Sequence, residues 1–84
     1  MKNSTYIVEL VLEDHNNIFL EALKNSLYPD SQNVPKNCNV EIIKSGESLK
    51  IMIKCSEVND LRALFNSFYS IVSAILHIRE EVLR

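Results

Sequence analysis

The chain has 84 residues, 46% of them hydrophobic and 24% charged, with a formal net charge of −2 at pH 7. That length fits one domain, and a domain of this size buries only about 60–65% of the surface its unfolded chain exposes, so its core is thin and association would help it. The apolar share excludes wholesale disorder, and the acidic balance excludes the basic stripe typical of nucleic-acid binders; contact with RNA would be weak or would run through a more basic partner.

Residues 5–13 alternate, with Tyr6, Val8, Leu10 and Leu12 on one face and Ile7, Glu9, Val11 and Glu13 on the other. A period of two predicts a half-buried first strand. The second face mixes Ile7 and Val11 with carboxylates, and partial cover is expected there too. Asp14-His15-Asn16-Asn17 breaks the strand, and Asp14 or Asn16 supplies a cap for a helix. Ile18, Phe19, Ala22, Leu23 and Leu27 then recur at helical spacing, with Glu21, Lys24 and Asn25 on the wet side. This first helix should run about three turns and stop at Pro29, which cannot continue the amide ladder and biases Tyr28 away from helix.

Residues 29–39 are polar and hold both prolines, predicting one long ordered surface loop. A hairpin comes next. Val40 and Ile42 alternate with Glu41 and Ile43, and Leu49, Ile51, Ile53 and Cys55 alternate with Lys50, Met52 and Lys54. The only glycine, Gly46, falls in residues 44–48 between them, where a turn needs a positive φ. Ser56 is the expected cap of a closing helix, with Glu57 or Asn59 supporting it. A right-handed crossover between the first two strands leaves room for the third between them. The expected fold is therefore α+β, strand–helix–strand–strand–helix: a three-stranded antiparallel sheet of order 1-3-2 with two helices packed on one face.

The closing helix carries the main signal. Residues 63–76 are fourteen consecutive positions without charge, proline or glycine. At helical spacing Leu61, Leu64, Phe65, Phe68, Tyr69, Ile71, Val72, Ile75, Leu76 and Ile78 cover an arc about 180° wide, where a core-facing stripe needs little more than ~100°. The excess should pack on the first helix or on another chain. The other half carries Ala63, Asn66, Ser67, Ser70, Ser73 and Ala74, with Ala63, Ser67, Ser70 and Ala74 spaced by four, three and four. Small side chains in such a line let a partner helix approach closely. Arg62 and Asn66, one turn apart, can hydrogen-bond to each other or to a partner carbonyl.

Cys38 and Cys55 are seventeen positions apart. One disulfide is arithmetically possible, but with no leader read ahead of the first strand, buried thiols in a reducing cytosol are expected. The longest uncharged run is shorter than the ~20 residues that span a bilayer, so no membrane span is expected. His15 stands in a turn and His77 near a helix end, and Glu80-Glu81 reads as a solvated helix end. There is no His-Glu-x-x-His, no cysteine pair with zinc spacing and no glycine-rich phosphate loop. We expect no enzyme, no metal and no cofactor.

Two motifs point to a family. Leu61-Arg62 followed by Asn66-Ser67-Phe68, and Ser26-Leu27-Tyr28-Pro29-Asp30 at the end of the first helix, resemble the Pcc-one family, as do the element order and the length. The resemblance runs from Tyr6 to about Val82, making 1–84 a single domain of this kind. It implies a non-catalytic small subunit of the KEOPS complex, which makes threonylcarbamoyladenosine in tRNA. Such subunits dimerise, here with a second copy or a divergent archaeal paralogue, and pack their helices on the universal threonylcarbamoyl-transferase subunit. A cytoplasmic protein touching tRNA only indirectly or weakly is implied. The partner-binding positions carried over are Arg62, Asn66, Ser67 and Phe68, with Ala63, Ser70 and Ala74 added from spacing. The competing readings are a stand-alone small RNA-binding α/β module and a free-standing ligand-binding regulatory domain.

Overall fold

The computed structural model describes residues 4–83, with side chains through residue 76. The order is β1 (Tyr6–Glu13), α1 (Asn17–Gln32), β2 (Cys38–Ser45), β3 (Ser48–Cys55) and α2 (Val58–Leu83). The strands form one antiparallel sheet in the order β1-β3-β2, as the crossover argument expects.

Register decides which side of the sheet each residue faces. Val8, Leu10 and Leu12 of β1 stand opposite Ile53, Ile51 and Leu49 of β3, and Val40 and Ile42 of β2 stand opposite Ile53 and Ile51. Directly opposed residues share a face, so these side chains line one surface. Both helices cover it. Leu20, Leu23 and Leu27 of α1 and Phe68 and Val72 of α2 join Val40, Leu49, Ile51, Ile53 and Cys55 in a single core. Lying mainly over β2, α1 leaves β1 and β3 to α2.

The other surface of the sheet is open. Ile7 is 55% exposed and Val11 54%, against the expectation of partial cover. No element of the described chain remains to lie over them, because both helices are spent on the opposite side.

The structure corrects α1 in two respects. It runs through Pro29 for another turn and ends at Gln32. Proline forfeits the ladder bond its own amide would have made and crowds the carbonyl four residues back, a cost the last turn must offset. The last turn is held by Ser31, which is buried and donates from Oγ to the Tyr28 carbonyl at 2.6 Å, and by the Asn33 amide donating to the Asp30 carbonyl at 3.3 Å. The inward stripe is Leu20, Leu23, Leu27 and Ser31 rather than one running through Ile18 and Ala22; Ile18 is 83% exposed in the first turn. Both capping candidates are used. Asn16 Oδ1 accepts from the Phe19 amide at 3.0 Å, and Asp14 Oδ1 accepts from the Asn16 amide at 2.8 Å.

The loop shrinks accordingly to residues 33–37, and the hairpin strands are longer than the alternation alone suggests. The turn is Gly46-Glu47, with Gly46 at φ 59°, the only positive φ among the described residues. A glycine first in a two-residue loop, followed by a residue of negative φ, matches the type II′ preference and the sheet's twist. At the start of α2, the Leu61 amide donates to the Glu57 carbonyl at 3.1 Å, so Glu57 rather than Ser56 opens the helix. The Ser56 amide instead donates to the Asn37 carbonyl at 3.1 Å.

The cysteines are a further correction. Cys38 and Cys55 are disulfide-bonded, not free thiols. They stand directly opposite each other on β2 and β3 with Cα atoms 4.1 Å apart, so register alone brings the sulfurs together.

Candidate functional site

Helix α2 has two sides. Its inner side is anchored by Phe68 and Val72, 2% and 3% exposed, flanked by the partly buried Leu61, Leu64, Phe65, Ile71, Ile75 and Leu76. The apolar arc therefore covers the sheet but is not itself fully covered. Tyr69 is 52% exposed, its ring stacked on Phe65 with centroids 5.7 Å apart. The outer side presents Ala63, Ser67, Ser70 and Ala74, all exposed, with Ser73 half-buried beside them. A ridge so low leaves the helix backbone within reach of anything that lies along it. Asp60 in the first turn suits the positive end of the helix dipole.

Arg62 and Asn66 are accessible next to this strip. With Leu61, Phe65 and Val8 of the edge strand β1 they line a shallow pocket of about 270 Å³. The arrangement pairs an apolar floor with a guanidinium and an amide at the rim, able to hold a partner's apolar side chain and its backbone carbonyls at once.

Six of the seven partner-binding positions expected from sequence thus lie on accessible surface: Arg62, Ala63, Asn66, Ser67, Ser70 and Ala74. Phe68 does not. It faces the sheet, so its part is to hold the helix down. Leu61, a motif residue not carried over as a partner-binding position, joins the surface, as do Val8, Phe65 and Tyr69, which the motifs do not single out. Of the last three, Phe65 and Tyr69, an aromatic pair one turn apart on the margin of the arc, carry a sequence signal for it.

Elsewhere His15 Nδ1 lies 3.1 Å from Glu47 Oε1, an exposed pair across the corner where the Asp14 amide also donates to the Glu47 carbonyl. That is a turn fastening. Among the described residues no group of three metal-ligating side chains gathers, and no helix is long and apolar enough to cross a membrane. The side chains of His77, Ile78 and Glu80-Glu81 lie outside the described residues.

The strip and its pocket occur on a chain whose residues 10–80 match the model of a family described as transcription factor Pcc1. The chain belongs to the Pcc1 family. The match runs from the middle of β1 to the late part of α2, so α1, β2 and β3 of this Pcc1 protein fall wholly within it and β1 and α2 in part. Comparison with curated proteins and with solved structures gave no match. Membership supports, at the level of the family, the KEOPS-associated, non-catalytic character that the two sequence motifs imply.

Proposed function

We propose that this Pcc1 protein is a one-domain scaffold subunit of a KEOPS-type assembly in the cytoplasm, docking α2 on the helices of the threonylcarbamoyl-transferase subunit. One observation carries the reading: Ala63, Ser67, Ser70 and Ala74 are exposed on a helix whose opposite side is sealed by Phe68 and Val72. A solvated helix face ordinarily carries long charged side chains, and this one carries small ones next to an apolar pocket. The family's description as a transcription factor does not call for DNA contact by this chain, since a net charge of −2 runs against the strongly basic balance usual in DNA binders. Any approach to tRNA runs through the partner.

The open sheet face serves a second copy, or a paralogue of like chemistry. Glu9, Met52 and Glu41 lie in one row across the strands, and Val11, Lys50 and Ile43 in the next on that face. A two-fold axis in the interface, running across the strands between these rows, sets Lys50 of each copy over Met52 of the other, between its Glu9 and Glu41. Val11 and Ile43 then rest on the stems of the facing glutamates. Within one chain Lys50 Nζ is already 3.9 Å from Glu9 Oε2, so its charge lies on the right side. Light scattering on a size-exclusion column tests both contacts. The chain alone should elute as a dimer and, mixed with the transferase subunit, should co-elute with it. A strictly monomeric chain that never co-elutes with that subunit contradicts the reading.

A further inference from the structure

The disulfide sits where the fold opens to solvent. Cys55 is sealed at 1% exposure, while Cys38 is half-buried. A surface pocket of about 230 Å³ reaches both residues, and its lining among the described residues includes Lys36, Lys54 and Asn37 but no carboxylate, in a chain that is acidic as a whole. Asn37 sets its amide against the bridge: Oδ1 is 3.7 Å from Cys38 Sγ, and Nδ2 is buried without a partner. A disulfide sulfur has no hydrogen to donate. Rotating the amide by half a turn exchanges O and N without changing its shape, and makes Nδ2 a donor to Sγ. The two lysines attract an anion into the pocket, and that donor stabilises the thiolate that Cys38 carries once the bridge is open.

We propose that Cys38–Cys55 is an exchange site for anionic low-molecular-weight thiols of the glutathione type, with Cys38 the sulfur attacked and Cys55 the resolving sulfur. In reduction, the thiolate of the small molecule bonds to Cys38 Sγ, the Cys38–Cys55 bond breaks, and Cys55 leaves as a thiolate that takes a proton from water. A second small thiolate attacks the small-molecule sulfur of this mixed disulfide. The small disulfide departs and Cys38 is left as a thiolate. The protein has gained two electrons, and two small thiols have been oxidised to one disulfide. Oxidation runs in reverse: Cys38 attacks the small disulfide, and Cys55 then closes the bridge and expels the second thiol. Lys36 and Lys54 draw in the carboxylates of the small molecule. The bridge ties the first residue of β2 to the last of β3, three residues ahead of α2. Its state therefore sets how firmly the helix with the exposed strip is mounted.

The test uses the full chain in glutathione buffers, read by intact mass after acid quenching. The wild type should lose two hydrogens in oxidised glutathione and regain them in excess reduced glutathione, with its melting temperature falling by on the order of 10 °C. Cys55→Ser should trap one glutathione on Cys38, and folded Cys38→Ser should trap none. If Cys38→Ser does not fold, peptide mapping of the quenched wild-type intermediate gives the same information, and should find glutathione on Cys38 alone. Lys36→Glu with Lys54→Glu should slow reduction by glutathione about tenfold while leaving the rate with uncharged mercaptoethanol nearly unchanged. Glutathione on Cys55, equal slowing with both thiols, or two persistent free thiols in oxidised glutathione would each overturn the proposal.

Discussion

Two adjacent residues on α2 should respond in opposite ways to substitution. Phe68 is 2% exposed and, with Val72, is one of the two fully buried anchors of the helix. Truncating a buried phenylalanine to alanine typically costs about 3–5 kcal/mol, transfer and cavity together. At ~0.05–0.15 kcal/mol per residue, a chain of this size has roughly 4–13 kcal/mol in all. Phe68→Ala should therefore remove about a quarter or more of the stability and can unfold the domain outright. Phe68→Leu keeps most of the volume and should cost only about 1–2 kcal/mol, so it stays measurable. Ser67 is exposed one position away, and Ser67→Arg should change stability by no more than about 0.5 kcal/mol. The assay is urea unfolding followed by far-UV circular dichroism, since the chain has no tryptophan. Protein concentration must be held constant, because a dimer's apparent stability depends on it. The reasoning fails if Ser67→Arg destabilises as much as Phe68→Leu, or if Phe68→Ala costs under about 1 kcal/mol.

Other substitutions test separate parts of the molecule. Asn16→Ala removes the acceptor for the Phe19 amide and should cost about 1 kcal/mol in the same unfolding assay. Pro29→Ala restores an amide inside α1 and should stabilise the chain by about 1–3 kcal/mol, with a slight gain in helical signal; a loss would mean that the ring is needed to set the helix exit. Lys50→Glu reverses the charge between Val11 and Ile43 on the open sheet face, which in the proposed dimer sets a third carboxylate between Glu9 and Glu41 of the facing copy; it should shift the dimer to monomer in sedimentation velocity, leaving the melting curve of the monomer intact. A variant that remains dimeric would move the second copy to another surface.

Most of the architecture is legible in the sequence because alternation in β1 and the hairpin is clean and the single glycine marks the turn. The failures are instructive about local rules. Pro29 reads as a stop, yet the helix passes through it because burial of Leu27 and Ser31 outweighs one lost ladder bond. A stripe through Ile18 and one through Leu20 both fit a helical period, and only the sheet beneath α1 chooses between them. The bridge escapes for a different reason. A spacing of seventeen says nothing by itself, but in a two-residue hairpin at Gly46-Glu47 both cysteines lie seven positions out from the Ser45–Ser48 pair, which places them face to face. The turn, once located, contains that information.

The candidate site is half legible. Small side chains at spacings of four, three and four give the exposed strip, and that placement holds for Ala63, Ser67, Ser70 and Ala74. Phe68 groups with its sequence neighbours in the motif, although one helical step of about 100° carries it to the core side. The pocket cannot be read from the sequence at all, because Val8 reaches it from β1, more than fifty residues from Leu61 along the chain.

The central claim is that the strip on α2 docks a partner helix, and calorimetric titration of Ser70→Arg against the threonylcarbamoyl-transferase subunit tests it most directly. An arginine in a close helix–helix contact should weaken binding by about 2 kcal/mol or more, roughly thirtyfold, while the melting temperature stays at the wild-type value. If Ser70→Arg binds that subunit as tightly as the wild type does, the strip is not the docking surface.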